Sequence, residues 1–181
     1  FKNNNSTGDG GGLMVKNANY PEKRATIINS IFENNTANRG GGMAFQDSES
    51  QLVDSTLFIN NQSTTYGGGI YMAYANSSEI KNSRFINNQS IQSDGGAIYA
   101  STDVDLTNNI FVSNSAQQGG AITVPGFPGW VDIDRNLFYK NIASIKGGAI
   151  YSANMSSGWD PIVDNTTFSL NKAGEAGSNI G

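Results

Sequence analysis

The chain repeats itself about every twenty-seven residues, and no other feature limits its fold so tightly. Phe-x-x-Asn occurs as Phe1/Asn4, Phe32/Asn35, Phe58/Asn61, Phe85/Asn88, Phe111/Asn114, Phe138/Asn141 and Phe168/Asn171, with steps between phenylalanines of 31, 26, 27, 26, 27 and 30 residues. Each copy runs on into Gly-Gly-(Gly/Ala)-aliphatic, ending at Leu13, Met43, Ile70, Ile98, Ile122 and Ile150, and the last copy decays to GSNI at 177–180. A small residue stands two places beyond each motif Asn, from Ser6 and Ala37 to Ala173. An aliphatic stands five places before Phe, at Ile27, Val53, Ile80, Leu106, Ile133 and Val163.

Helical repeats of similar length need runs of about ten residues with apolar spacing of three and four, and nothing here sustains one. The chain offers short β-prone bursts instead, such as ATIINSIF (25–32), AIYAS (97–101) and VDLTNNIF (104–111), separated by Asn, Gly and Ser turn chemistry. One burst cannot bury its own apolar face. Stacked copies can, by coiling so that equivalent strands pair in parallel at about 4.8 Å per coil, Phe over Phe and Ile over Ile. The expected fold is therefore all-β: a parallel β-helix of about six to seven coils of roughly 27 residues, with 1–181 as a single domain.

In such a coil every position becomes a column. The Asn of Phe-x-x-Asn is expected at a bend, adopting the left-handed conformation and passing amide hydrogen bonds to its equivalent in the next coil. That makes a ladder of Asn35, Asn61, Asn88, Asn114, Asn141 and Asn171. Gln would reach too far, and Asp would stack like charges. The glycines supply positive φ and close backbone approach.

GGAI at 95–98, 119–122 and 147–150, combined with FINN, FVSN and FYKN, resembles the polymorphic outer membrane protein repeat of bacterial autotransporter adhesins. The resemblance covers essentially the whole chain. It implies a right-handed β-helix passenger on a cell surface, with adhesion or host contact as its role. Half of the complete copies read GGG rather than GGA, and repeats of this type also occur in large surface proteins of other organisms, so attachment by a barrel is not an expectation the resemblance carries.

Composition narrows the function. Eleven Lys and Arg against fifteen Asp and Glu leave no basic stripe for phosphates, so nucleic acid is not an expected partner. No apolar run approaches the roughly 20 residues of a membrane span. With no Cys and no His, disulfides and Cys- or His-based metal sites are excluded. The chain begins and ends inside a repeat, so it is expected to be a fragment of something longer, its open ends covered by further sequence or joined end to end.

Parallel β-helices also host polysaccharide lyases and hydrolases, but fold does not give function. The nearest match to a catalytic or Ca²⁺-binding carboxylate set is Asp103, Asp105, Asp132 and Asp134 with Arg135. Aligned on Phe, Asp105 and Asp132 share one column and Asp134 and Asp164 another. A cation between Asp105 and Asp132 is one reading, and a solvated outer face is the plainer one. No cofactor beyond Ca²⁺ is suggested, and the expectation is a non-enzyme.

Recognition is expected in the variable connection between the Gly-Gly aliphatic and the next Phe. Its lengths of 19, 15, 15, 13, 16 and 18 residues all differ at one corner. Within it, KNANYPEKR (16–24), VPGFPGW (124–130) and SGWDP (157–161) carry Tyr20, Phe127, Trp130 and Trp159. The expected contact is Phe127, Trp130 and Trp159, with Asp132 or Asp160 giving polar direction. A second column, Tyr71, Tyr99 and Tyr151, is expected to point outward and stay partly exposed. Among the Asn-x-Ser/Thr sequons, Asn34, Asn76, Asn154 and Asn165 are the better acceptors if the source is a eukaryotic secretory protein, since Asn61 and Asn88 belong to the ladder.

These features fit an extracellular or cell-surface scaffold for adhesion or recognition, its partner a protein or glycan on another surface. The alternatives are a fibre or sheath subunit self-associating along the coil axis and, behind it, a carbohydrate-active enzyme.

Overall fold

A computed structural model describes residues 1–16, 25–48, 50–74, 78–126, 131–153 and 162–174. Among these residues there is no helix, and every sheet strand pairs in parallel with its equivalent one coil away. Each coil contributes one strand to each of four six-stranded sheets. The first sheet runs from Leu13–Lys16 to Ile150–Ser152, the second from Thr26–Ile28 to Ile162–Asp164, the third from Ile31–Glu33 to Thr167–Ser169 and the fourth from Thr36–Arg39 to Lys172–Ala173. Six strands per sheet is the lower end of the expected coil number.

The columns fall where the repeat places them. Phe32, Phe58, Phe85, Phe111 and Phe138 are fully buried in the third sheet. From Phe1 to Phe168 the rings stack at centroid spacings of 4.6 to 4.9 Å, their planes nearly parallel. That spacing equals the rise of a coil, so one geometry satisfies backbone pairing and ring contact together. Ile27, Val53, Ile80, Leu106 and Ile133 line up opposite them in the second sheet, and Met43, Ile70, Ile98, Ile122 and Ile150 in the first. Each buried side chain of this size contributes about 1.5–3 kcal/mol.

Asparagine makes the ladder, with one correction to where the chain bends. Asn88 Oδ1 accepts the backbone N–H and the Nδ2–H of Asn61, both at 3.0 Å, and Asn88 Nδ2 donates to Asn114 Oδ1 at 3.1 Å and to Phe58 O at 3.0 Å. Both donors and both lone pairs of the amide are thereby used, and Asn35, Asn114 and Asn141 repeat the pattern. The left-handed residue is not the ladder Asn but the one before it: Asn34, Asn60, Asn87, Ser113, Lys140 and Leu170 all have φ near +55°. Its outward side chain is free to vary, because the conformation is enforced by the amide bonds that follow.

A second corner, between the second and third sheets, is built the same way. The N–H groups of Thr56, Ser83, Asn109 and Asn136 donate to Ser83 Oγ, Asn109 Oδ1, Asn136 Oδ1 and Thr166 Oγ1 at 2.8 to 3.1 Å, each again preceded by a left-handed residue. At the corner between the fourth and first sheets the first glycine of each triplet takes positive φ, as Gly67 does at +64°. The second packs so tightly that a Cβ on Gly68 would run into Gly96 O and the Gln89 backbone.

Candidate functional site

Because the inward letters are consumed by packing and ladders, chemistry toward a partner is left to the outward side chains. The four outer faces differ. On the first sheet the expected tyrosine column points outward, since its neighbours Ile70 and Ile98 are buried, but it is neither continuous nor well exposed. Thr123 stands between Tyr99 and Tyr151. Tyr66 leans in from the fourth sheet, 4.5 Å from Tyr99 between ring centroids, and Tyr71 is only 7% exposed. Arg39 Nε and Nη2 donate to the Asp9 carboxylate at 2.8 and 2.6 Å, and Nη1 donates to the Tyr71 hydroxyl at 3.0 Å. The bond to Asp9 raises the Arg39 pKa further. Burial pushes the Tyr71 and Tyr99 hydroxyls up, with Arg39 opposing the shift at Tyr71. The corner is a locked ion-pair and aromatic cluster whose ring faces are already used.

The second sheet is acidic. Glu79, Asp105 and Asp132 are register partners on its outer face, and Asp134 pairs with Asp164, as the alignment on Phe requires. Glu79 is relieved by Lys81 at 2.8 Å and Asp134 by Arg135 at 2.9 Å. The Asp105 carboxyl is raised, first by burial and then by Asp132, Glu79 and Asp103. Among the described residues no three ligating groups gather as a metal centre would need, and the carboxylates stand in single file on a flat flank.

The third sheet carries the face that the reading of the sequence passed over. The residues flanking each Phe point outward, and in the middle coils all but one are aliphatic: Leu57, Ile110 and Leu137 in one row, interrupted between Leu57 and Ile110 by the exposed Arg84, with Ile59, Ile86 and Val112 in the other, these six all partly exposed. The signal was present, since the letters on either side of Phe read Leu/Ile, Arg/Ile, Ile/Val and Leu/Tyr through those coils. At the corner into the fourth sheet, Ser113, Lys140 and Leu170 together with Ile142 and Lys172 of that sheet line a groove of about 360 Å³. Through Ile142 it continues into a second of about 240 Å³ floored by Ile91 and Ala116 and edged by Gln89, Ser115 and Gln117.

The length variation does fall at one corner, between the first and second sheets. Of the residues expected there, Tyr20, Phe127, Trp130, Trp159 and Asp160 lie outside the described residues, whereas Asp132 sits on the second sheet beside that corner. Tyr74, 70% exposed with φ +55°, shows that the same corner presents an aromatic in another coil. Of the sequons, Asn34 and Asn165 are exposed left-handed residues whose Nδ2 groups donate to Asn3 Oδ1 and Asp134 Oδ1, and Asn76 and Asn154 lie outside the described residues.

The family described as right handed beta helix region matches residues 1–168. The chain belongs to the right-handed β-helix family. Neither a curated protein nor a solved structure matches it significantly. As in other solenoids, the outer rows of a right-handed β-helix repeat at the coil spacing. Among the described residues no helix is long and apolar enough to cross a membrane.

Proposed function

We propose that this right-handed β-helix is a recognition scaffold, extracellular or on a cell surface, and that its main contact is the aliphatic outer face of the third sheet, made with a protein. The observation that carries the reading is the pair of rows Leu57/Arg84/Ile110/Leu137 and Ile59/Ile86/Val112, apolar side chains held partly exposed on a flat sheet around one exposed arginine while the neighbouring flanks are polar or charged. Apolar patches of this kind, with a single Arg84 among them, mark protein contacts more than sugar sites, which need stacking rings or dense hydrogen bonding. The likeness of GGAI and Phe-x-x-Asn to adhesin repeats supports the same reading. In this reading the second-sheet carboxylates, in register along one flank, serve as a solvated outer face and not as a catalytic pair.

The variable corner with Tyr74, Phe127, Trp130 and Trp159 would add selectivity, and a glycan is the partner it would suit. An array of cell-surface proteins and glycans, probed with the labelled chain, tests the proposal. Protein spots that bind the chain and lose it when Leu57, Ile110 and Leu137 are all changed to Thr support it, while binding unaffected by that triple change removes the third sheet from the role.

A further inference from the structure

Charge is segregated around the coil. Among the described residues the second-sheet strands hold six carboxylates (Asp54, Glu79, Asp105, Asp132, Asp134 and Asp164) and one cation, Lys81. The fourth-sheet strands hold Arg39, Lys146 and Lys172, and the two carboxylates bridged to that sheet are Asp9, ion-paired with Arg39, and Asp94. One sheet separates these two flanks on either side, so the cross-section is acidic at one pole and, in the last two coils, basic at the other around Lys140, Lys146 and Lys172.

Each pole pairs charge with an exposed aliphatic. On the basic flank, Lys140 and Lys172 from adjacent coils border the groove over Ile142 and Leu170, which are 50% and 61% exposed. On the acidic flank, Ile162, 47% exposed, is the register partner of Asp132 and stands two residues from Asp164. Among the described residues neither lysine is within ion-pair distance of a carboxylate, nor are Asp105 and Asp132 within that distance of a cation. Lys140 and Lys172 lie on adjacent coils, as Asp105 and Asp132 do, so across two coils of about 4.8 Å rise one flank can be laid along the other with each lysine facing a carboxylate.

We infer that the chain associates laterally with a second copy of itself, the groove at Lys140, Ile142, Leu170 and Lys172 receiving the Asp105/Asp132/Ile162 flank of its neighbour. The two surfaces are different patches, so the contact is heterologous and leaves one free acidic and one free basic flank at the ends of every chain of copies. A peptide strand is a poorer occupant, since the sheet's backbone groups are already paired to neighbouring coils and offer no edge for strand addition. The contact is narrow and charge-driven, which makes it weak and salt-sensitive.

Sedimentation velocity on the intact chain, run against protein concentration in low salt and in 1 M NaCl (a salt level that screens to about 3 Å), tests this directly. The expected result is association that grows with concentration in low salt and disappears in high salt. Lys140→Ala/Lys172→Ala and Asp105→Asn/Asp132→Asn should each weaken self-association about tenfold or more. Mixed together they should form a 1:1 pair that grows no further, because each keeps one intact flank. Circular dichroism confirms that both variants keep their sheets. A wild-type monomer at all concentrations in low salt, variants that associate as the wild type does, or a mixture that stays monomeric would each overturn the inference. So would a chain that remains monomeric yet binds an acidic saccharide through Lys140 and Lys172.

Discussion

The Oδ1 of Asn114 accepts two hydrogen bonds from Asn88, from its backbone N–H at 2.9 Å and from its Nδ2 at 3.1 Å. In turn, Asn114 Nδ2 donates to Asn141 Oδ1 and Phe85 O, all in the buried interior. Asn114→Ala removes every one of these and leaves Asn88 donors without a partner, so it should destabilise by on the order of 3 kcal/mol. Asn114→Asp keeps the acceptor but replaces both donors with charge facing two oxygens, and should be worse at neutral pH than in acid. Urea unfolding of both variants checks the order, and a neutral Ala variant would deny the ladder.

Phe111 lies in the ring column between Phe85 and Phe138 at 4.9 and 4.6 Å. Phe111→Ala should cost about 3–5 kcal/mol through the cavity it leaves. Phe111→Leu, which refills most of it, should cost about 1 kcal/mol. Equal losses from the two would argue against a close-packed column.

Leu170 holds a left-handed φ of +56° where other coils place Asn60 and Asn87. Leu170→Asn should therefore stabilise by about 0.5–1 kcal/mol and Asn87→Leu should cost about as much, since Asn tolerates that conformation and Leu does not. Thermal melts read both, and opposite signs from those stated would mean that the turn relaxes.

At Asp105, burial and the neighbouring carboxylates raise the folded-state pKa above its unfolded value. The folded chain then holds the proton more tightly, so the group's contribution favours folding in acid and is lost as pH rises from the ordinary aspartate range through the raised value. Asp105→Asn should accordingly be more stable than the wild type at neutral pH, with the gap closing below about pH 3. Denaturant titrations of the pair at both pH values decide it, and a gap that widens in acid would reverse the sign.

Legibility followed how few solutions each position has. The inward columns admit one side chain shape, so Phe58, Phe85, Phe111 and the ladder Asn are spelled identically and could be read directly. The second turn column needs only an oxygen that accepts one N–H, which Ser83, Asn109 and Thr166 all supply, so it shares chemistry but no letter and went unread. The left-handed position was assigned one residue late because its side chain points out and varies from Asn87 to Lys140 to Leu170. The outer aliphatic rows of the third sheet were hidden by the more conspicuous Phe between them. The corner loops obey no column, which is why sequence could place them together but could not give them a geometry.

If the interior letters hold the coil and the outer rows of the third sheet make the contact, folding and binding must come apart. The decisive measurement compares Leu57→Thr/Ile110→Thr/Leu137→Thr with Asn114→Ala, each by urea unfolding and by binding to the protein partners that the array retains. The triple outer variant should unfold within about 1 kcal/mol of the wild type and lose its protein partners, whereas Asn114→Ala should lose stability and, while folded, still bind. An outer variant that binds as well as the wild type, or an interior variant that folds as well, would contradict it.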